Sequence, residues 1–442
     1  MRRALVFCVV GLCCVWGSTG WAAEWRAGLA RTDITPTQPV WMAGYGTRVH
    51  PAEGTIHPLW AKALVLEDKQ GGRVVIVGTD LLGLSRQIHD AVVGRAAKTT
   101  GIEPGRIVLN SSHNHCGPAI VGCALVLNPT DEKFRAPLRA YAKQLEDKLV
   151  ALIEAACRQM RPVTLEIGQG EATFARNRRG GTIRPVDHSV PVLRVSDPSG
   201  RPLAVMFGYA CHNTTLGLVY KYNGDYAGFA QLALEQAHPD VMAMFLIGCG
   251  ADANPSPRGD LAQAEQHGKS LAAAVDRVLK VKMHPISGPL CVASGQVDLP
   301  LVDPPSKKEL EARRGKGNQY EQRLTEVLLE RLAEKNTLDA AYPCPIQVVR
   351  FGKDLSLIAI GGEVVVDYAI RLRKEFPGER LWVAGYCNDV FGYLPSERIL
   401  TEGGYEAGKA MVSYGLHGPF KPGVEKLVVD QVKKLMRECR AP

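Results

Sequence analysis

Residues 107–118 read Ile-Val-Leu-Asn-Ser-Ser-His-Asn-His-Cys-Gly-Pro, with Gly105 shortly before them. The apolar start, bounded by glycine and by Gly-Pro, predicts a buried strand that runs into a turn. Because side chains alternate across a strand with a period of two, His113 and His115 are expected on the same side. Neutral imidazole is the commonest metal ligand and a common general base near neutral pH. The stretch therefore predicts a metal or proton-transfer site; the alternative is two hydrogen-bonded histidines that only cap the strand.

The first 23 residues have the organisation of a secretory signal peptide. Met-Arg-Arg is followed by an apolar stretch over residues 4–15 and by small residues up to Ala23. This order of basic, apolar and small residues is typical of a cleaved leader, and the apolar stretch is too short to span a bilayer. We therefore expect residues 1–23 to be removed on export, to the periplasm or outside the cell, and residues 24–442 to form the mature chain.

The composition excludes several classes of protein. The chain of 442 residues carries a formal charge of +8, but its Lys and Arg residues do not form the continuous stripe that nucleic-acid binders use. After the leader, no stretch reaches the roughly 20 apolar residues of a transmembrane helix. Nine cysteines follow residue 23, none of them in a Cys-x-x-Cys pair. A cysteine zinc site is therefore not expected, and the disulfide pairing cannot be derived from the spacing.

Several predicted strands end in short polar segments. These are Cys-His-Asn at residues 211–213, Cys-Gly-Ala-Asp-Ala-Asn at 249–254, Gly-Gly-Glu at 361–363 and Cys-Asn-Asp at 387–389. Open α/β sheets place their ligand sites beyond strand ends. Strands also alternate with amphipathic helical patterns, the longest over residues 131–159, which predicts an α/β fold with mixed central β-sheets flanked by helices.

Residues 304–341 differ from their surroundings. They are rich in Lys, Arg and Glu and carry leucines at helical spacing. This pattern predicts a charged helical insertion that covers the core with two amphipathic helices. A mobile lid over the site is the alternative.

Taken together and in order, these segments resemble the neutral/alkaline (non-lysosomal) ceramidase family. The matching segments are Gly-Leu-Ala-Arg-Thr-Asp-Ile-Thr-Pro at residues 28–36, His-x-His-x-Gly-Pro at 113–118, Asn-Arg at 177–178, Cys-His-Asn-Thr-Thr at 211–215, Gly-Asp-Tyr-Ala-Gly at 224–228, Asp-Ala-Asn-Pro at 252–255, Gly-Glu at 362–363 and the stretch 385–393. The resemblance implies one neutral-ceramidase-like catalytic domain over residues 24–442. Because the chain stops at Pro442, we expect it to lack the family's C-terminal immunoglobulin-like domain.

The resemblance also implies a catalytic zinc. The family holds this metal with the first His of His-x-His, a later His, a Glu that follows Gly, and a Tyr; the first three fall on His113, His212 and Glu363. His and carboxylate ligands with one open position are also usual for catalytic zinc, although iron and manganese use similar sets. The pKa of zinc-bound water falls to roughly 7, which supplies hydroxide at neutral pH.

The fourth metal ligand is left open by the sequence. The family's tyrosine in Asn-x-Tyr is replaced here by Val390, after Asn388 and Asp389. We take Asp389 as the fourth ligand, with Tyr393 or a water molecule as the alternatives, because spacing does not decide between them.

The same resemblance implies residues that act on the substrate. His115 falls on the family's second histidine and would carry a proton or donate to the developing oxyanion. Arg178 falls on the arginine that binds the substrate oxygen. Asp252 and Asn254 lie in the family's Asp-x-Ser-Pro segment, where Asn254 replaces a serine put forward as catalytic. An amide is not a nucleophile, but it can donate and accept hydrogen bonds.

These features predict an exported zinc-dependent hydrolase that cleaves a linear N-acyl amide or a related ester. The family's substrate is ceramide, which yields a sphingoid base and a fatty acid. The changed serine and tyrosine positions leave two alternatives: the same chemistry on a non-lipid substrate such as an acylated sugar, or a non-catalytic ligand-binding domain on the same fold. An apolar trench at the metal would favour ceramide, and a polar pocket over His113 the acylated sugar. The expected partner is a small-molecule or lipid amide; the oligomeric state stays open.

Overall fold

The computed structural model describes residues 24–440, so the signal peptide predicted over residues 1–23 lies outside the described residues. In chain order the strands are β1 (Trp25–Asp33), β2 (Gly54–Thr55), β3 (Trp60–Asp68), β4 (Arg73–Thr79), β5 (Ile107–Ser111), β6 (Arg161–Glu171), β7 (Ala175–Asn177), β8 (Ser189–Ser196), β9 (Pro202–Tyr209), β10 (Lys221–Tyr222), β11 (Met242–Ile247), β12 (Ala253–Pro255), β13 (His284–Ile286), β14 (Leu290–Pro300), β15 (Ala341–Phe351), β16 (Leu355–Ile360), β17 (Glu363–Val364), β18 (Leu381–Ala384) and β19 (Tyr393–Leu394).

The helices alternate with these strands, as the sequence predicts. They are α1 (Arg86–Thr100), α2 (Glu132–Arg158), α3 (Asp225–Ala237), α4 (Leu261–Leu279), α5 (Lys307–Arg313), α6 (Gln319–Lys335), α7 (Val366–Glu375), α8 (Glu397–Glu402), α9 (Met411–Tyr414) and α10 (Val424–Glu438). A π-helical turn spans Tyr405–Lys409. Within residues 24–440, none of the helices is both long and apolar enough to cross a membrane.

The larger sheet is mixed and strongly curled. Its strand order is β11-β9-β8-β6-β1-β3-β4-β5, with β13 beside β6. The pairs β11–β9 and β4–β5 are parallel, and β3 and β4 form an antiparallel hairpin. The two edge strands approach each other, because the Ile247 N–H donates to Asn110 Oδ1 at 3.1 Å. A Cβ at Gly78 would lie 2.8 Å from the Phe245 carbonyl oxygen, so this closure requires glycine there.

A second sheet packs on the first. Its order is β14-β15-β16-β18, with β16 and β18 parallel. Val108 and Leu246 of the larger sheet share one buried cluster with Leu357 and Trp382 of the smaller sheet. Helices α2, α3 and α4 cover the other face of the larger sheet, and α10 covers β14 and β15. Mixed sheets flanked by helices are the fold class expected from the sequence, and the structure confirms it.

The residues predicted as a charged helical insertion contain α5 and α6. These helices pack on each other through a small cluster of their own, made by Leu310, Leu328 and Leu338. A Cβ at Gly46 would lie 2.3 Å from the Tyr320 hydroxyl, so the start of α6 touches the loop that follows β1.

Buried carboxylates hold the loops at the strand ends. Asp225 has a left-handed φ of 48° and accepts from the backbone N–H groups of Thr215 at 3.0 Å and Leu216 at 2.9 Å. These bonds fix the segment directly after His212. An acceptor that binds two backbone donors supplies the partners that a buried turn otherwise lacks.

Asp252 likewise holds the loop after β11 in place by accepting hydrogen bonds. Its Oδ1 accepts from the Val366 N–H at 3.0 Å, and its Oδ2 accepts from Asn177 Nδ2 at 2.8 Å. It therefore caps the start of α7 and ties that helix to β7. Burial raises the pKa of Asp252 to about 6.

The raised pKa of Asp252 predicts a pH dependence of stability. The folded value of about 6 exceeds the reference value of 3.8, so the folded state binds the proton more tightly than the unfolded chain. The carboxyl's contribution to the free energy of unfolding should fall by up to ~3 kcal/mol as the pH rises from about 4 to about 6. We expect the difference between wild type and Asp252→Asn, measured by urea denaturation, to shrink over that range.

Asp197→Asn provides the control for this measurement. Hydrogen bonds from Ser199 and the loop backbone lower the pKa of Asp197 to about 2, so its difference from wild type should not change above pH 4. A difference for Asp252→Asn that is equally constant would contradict the prediction.

A disulfide joins Cys291 in β14 to Cys439 after α10, across 148 residues. Because closing so long a loop restricts the unfolded chain, we expect the double variant Cys291→Ser, Cys439→Ser to lose about 2–5 kcal/mol of unfolding free energy. Reductant should reproduce this loss in the wild type and have no effect on the double variant. The free, half-buried Cys157, changed to Ser, is the control. Equal stability of wild type in oxidising and reducing buffer would contradict the prediction.

Candidate metal centre

Three chain segments supply the centre. His113 follows β5, His212 follows β9, and Glu363 opens β17, which pairs in parallel with β19 so that Glu363 lies beside Tyr393. The side chains of the two histidines and of Glu363 are each 2% exposed. His113 has a φ of 56°, a left-handed conformation that a residue without glycine's freedom adopts at a cost and that is typical of functional sites.

The two imidazoles and the carboxylate meet at one oxygen. Glu363 Oε2 lies 3.1 Å from His113 Nε2 and 3.2 Å from His212 Nε2. The far nitrogens are fixed by backbone: His113 Nδ1 donates to the Leu82 carbonyl at 2.9 Å, and His212 Nδ1 donates to the Gly250 carbonyl at 3.0 Å. Since a carbonyl can only accept, each Nδ1 carries a proton, and in a neutral ring Nε2 then carries the lone pair.

This arrangement fits a divalent metal. Burial, with the nearby Arg178 charge, lowers the pKa of His212 to about 4, so its ring is neutral at pH 7. The hydroxyls of Tyr386 and Tyr414 donate to Glu363, which favours its ionised carboxylate form. A tetrahedral zinc with bonds of about 2.0–2.1 Å separates its ligand atoms by roughly 3.3 Å, which is close to the observed spacings.

His115 lies between this cluster and solvent. Its Nε2 is 3.1 Å from His113 Nε2, and one ring nitrogen from each of His113, His115 and His212 lies within 4.8 Å of the other two. Burial lowers the pKa of His115 well below the usual value, and its Nδ1 is buried without a hydrogen-bond partner. A Cβ at Gly44, where φ is +89°, would lie 2.2 Å from this Nδ1, so only glycine fits against the ring.

Tyr393, rather than Asp389, reaches the cluster. The Tyr393 hydroxyl lies 3.2 Å from His212 Nε2. Asp389 instead accepts from the Arg86 N–H at 3.1 Å and from the Tyr342 hydroxyl at 2.7 Å, and it pairs with the Arg86 guanidinium at 2.9 Å. The placement of Asp389 at the start of α1 therefore does not support the expectation that it is the fourth ligand, whereas that of the alternative, Tyr393, does.

Arg178 joins the cluster to the opposite wall. Its Nη2 donates to the Tyr393 hydroxyl at 2.9 Å, and its Nε donates to Glu406 Oε1 at 2.8 Å. Its Nη1 lies 3.4 Å from both His212 Nε2 and Asn254 Oδ1. The sequence-predicted residues Arg178 and Asn254 are thus brought together at the metal centre.

Asp252 is not directed at the cluster. Both of its oxygens are used by Val366 and Asn177, and it does not belong to the lining of the cavity described below. In this position it orients Asn177, the residue before Arg178.

Three residues at the site were not singled out from the sequence. The Tyr414 hydroxyl donates a short hydrogen bond to Glu363 Oε1, and the Tyr386 hydroxyl donates to Glu363 Oε2 at 3.3 Å. Glu406 binds Arg178. Tyr386 lies within the resembling stretch 385–393 and could have been found there, whereas Tyr414 and Glu406 carry no recognisable local signal.

A cavity of about 910 Å³ opens beside the cluster. His115, His212 and Tyr393 reach its wall, while His113 and Glu363 lie behind them. A molecule in this cavity would therefore meet the centre through the His115 side, with Arg178 and Asn254 alongside.

Comparison with known proteins places the chain in a family. The family model described as neutral/alkaline non-lysosomal ceramidase, N-terminal, matches residues 25–297, a segment that holds the three histidines but ends before Glu363. Among the relatives, neutral ceramidase of Pseudomonas aeruginosa is 27% identical over 207 residues, 43% of this chain and 30% of that protein. Neutral ceramidase A of Dictyostelium discoideum is 24% identical over 235 residues, 48% of this chain and 32% of that protein.

The match with these curated relatives spans about a third of their length. A wider match is found with a solved structure, that of neutral ceramidase from Pseudomonas aeruginosa, with a TM-score of 0.75 at 21% identity over 95% of this chain and 75% of that chain. At this identity the likeness shows a shared fold, and a match over 95% of this chain extends past residue 297. Because the family model matches more than half of this chain, the chain belongs to the neutral/alkaline non-lysosomal ceramidase family.

Proposed function

We propose that this chain is a zinc-dependent hydrolase that cleaves an N-acyl amide bond, or a related ester, with a metal-activated water. One observation carries the proposal: Nε2 of His113 and Nε2 of His212 lie 3.1 and 3.2 Å from the same oxygen of Glu363. Membership in the ceramidase family supports an N-acyl linkage as the bond that is cleaved.

His113, His212 and Glu363 would hold the zinc with a position open for water, and the Tyr393 oxygen would add a fourth protein ligand in an expanded coordination shell. When bound, zinc lowers the pKa of a water molecule to roughly 7 and polarises the scissile carbonyl. The two backbone bonds to Nδ1 keep both rings in the ligand tautomer, and the hydroxyls of Tyr386 and Tyr414 fix the carboxylate. Such supporting bonds orient ligands before the metal arrives.

His115 is placed to move the proton. It is neutral, it reaches the cavity wall, and its Nε2 faces the cluster at 3.1 Å from His113 Nε2. It would accept a proton from the attacking water and donate it to the leaving amine. Gly44 and His113 hold the ring from two sides, which keeps the imidazole in reach of both.

Arg178 and Asn254 are placed to bind the substrate carbonyl oxygen. Glu406 holds the guanidinium from behind at 2.8 Å, so its remaining N–H groups are aimed at the centre before the substrate arrives. Donors fixed in this way stabilise the negative charge that develops on the oxygen as water adds. Asn254 supplies an amide where a serine would stand, and it therefore acts through hydrogen bonds rather than as a nucleophile.

We also propose that the protein is exported. The disulfide between Cys291 and Cys439 supports this proposal, because disulfides persist in oxidising compartments, and it agrees with the leader predicted over residues 1–23.

The ligand set predicts a defined metal content. We expect about one zinc per chain in the wild type, measured by elemental analysis after dialysis against metal-free buffer, and loss of that zinc in His113→Ala and Glu363→Ala. His115→Ala should retain zinc but lose about 10²–10⁴-fold in kcat, because it removes the proton carrier and not a ligand. His284→Ala, at an exposed histidine, is the control. If the wild type takes up no metal when it is incubated with zinc, the hydrolase proposal is contradicted, and the alternative of a non-catalytic ligand-binding domain is favoured.

The fourth ligand predicts a contrast between two variants. Tyr393→Phe should weaken zinc binding by roughly 10–100-fold, because it removes an oxygen beside His212. Asp389→Asn should change zinc affinity by less than about twofold and lower the unfolding free energy by roughly 1–3 kcal/mol, because it weakens buried bonds to Arg86 and Tyr342. Zinc affinity is measured by competition with a chromogenic chelator. If Asp389→Asn weakened zinc binding more than Tyr393→Phe, Asp389 rather than Tyr393 would be the fourth ligand.

A further inference from the structure

We infer that the cavity beside the metal centre selects a hydrophilic N-acyl substrate that carries an acidic group, and that Arg258 binds this group. The inference rests on the proposed hydrolase function and specifies its substrate class. It concerns Arg258 in the lining of the cavity and not the metal ligands.

The cavity presents few aliphatic side chains to a long hydrocarbon chain. Among the described residues that line it, Ile183 is the one aliphatic side chain, and it is 59% exposed. The rings of Tyr45, Tyr393 and Tyr405, five glycines and charged side chains form most of the remaining wall. Each buried methylene stabilises a complex by about 0.8 kcal/mol only where an apolar wall receives it. A substrate with a short acyl group and a polar remainder matches this lining better than a two-chain lipid.

The charges of the cavity are not balanced. Arg178 pairs with Glu406 at 2.8 Å, and Arg179 pairs with both Glu402 and Glu406. These two glutamates are the acidic residues of the lining, and both are committed to Arg178 and Arg179. Arg258 lines the same cavity, and within residues 24–440 no carboxylate lies within 4.0 Å of its guanidinium. One positive charge therefore faces the cavity without a partner.

Arg258 stands on a fixed backbone although its side chain is exposed. Two residues before it, the Ser256 N–H donates to the Phe174 carbonyl at 2.8 Å; one residue after it, the Gly259 N–H donates to the Thr215 carbonyl at 2.7 Å. Because the loop is already ordered, binding of an anion to the guanidinium loses little conformational entropy of the backbone. A guanidinium binds carboxylate, sulfate and phosphate alike, with paired N–H groups.

The test uses two probes that differ in charge, N-acetylglycine and N-acetylglycinamide, with the zinc-loaded full chain. Acetate release gives kcat and KM, and isothermal titration gives binding. We expect wild type to favour the acid at least tenfold in kcat/KM. Arg258→Gln should remove most of that preference through KM, with kcat nearly unchanged, and Arg258→Glu should favour the amide. Arg277→Gln, which removes the same charge from the exposed face of α4, should behave as wild type.

Two results would overturn the inference and leave the hydrolase proposal intact: equal or better hydrolysis of the neutral probe by wild type, or faster hydrolysis of a long-chain ceramide in detergent micelles than of either probe. If a zinc-loaded wild type turned over none of the three amides, the hydrolase proposal would fail. Titration would still decide the role of Arg258 in that case, because tighter binding of N-acetylglycine that is lost in Arg258→Gln supports it, and equal binding of both probes overturns it.

Discussion

The structure depends on a carboxylate that is buried against two imidazoles. An ionised carboxylate in the interior costs several kcal/mol unless opposite charge and hydrogen bonds compensate it. Here this compensation is incomplete. Tyr386 and Tyr414 donate hydrogen bonds to Glu363, but Glu363 Oε2 also faces the Nε2 lone pairs of His113 and His212. A divalent cation would satisfy these acceptors together, and the surrounding fold keeps them in place. The backbone carbonyls that hold the two Nδ1 atoms prevent the rings from turning away.

The fold maintains this geometry through strained loops that are tied down by buried acids. His113, Tyr386 and Asn388 all have positive φ values, and residues in that region persist only where the surroundings determine them. Asp225 and Asp252 provide part of that determination, since each accepts from two donors on loops next to the centre. The curl of the larger sheet then brings the ends of separate strands to one place. Stability and site geometry are therefore set by the same contacts.

Much of the centre could be predicted from sequence, and the remainder could not for definite reasons. The sequence identifies His113, His212 and Glu363 in two ways. Each follows a short apolar run that predicts a strand, and each lies in a segment that resembles the family. The choice between Asp389 and Tyr393 depends on the pairing of β17 with β19, which is a tertiary contact. Likewise, Tyr414 reaches Glu363 from a short helix 51 residues further along the chain. The layers of the fold follow from hydrophobic patterning, but strand order and curl do not.

The connectivity of the centre also fixes when it can come into being during synthesis. His113 leaves the ribosome early, whereas Glu363, Tyr393 and Tyr414 belong to the last quarter of the chain, and the bridge at Cys439 joins the final helix to a strand made 148 residues before. A nascent chain that is still growing can present single histidines to metal ions but not the complete ligand set. A metal held by the complete set would therefore bind late, after the C-terminal segment has docked, and a chain truncated before Glu363 could not hold it in this way.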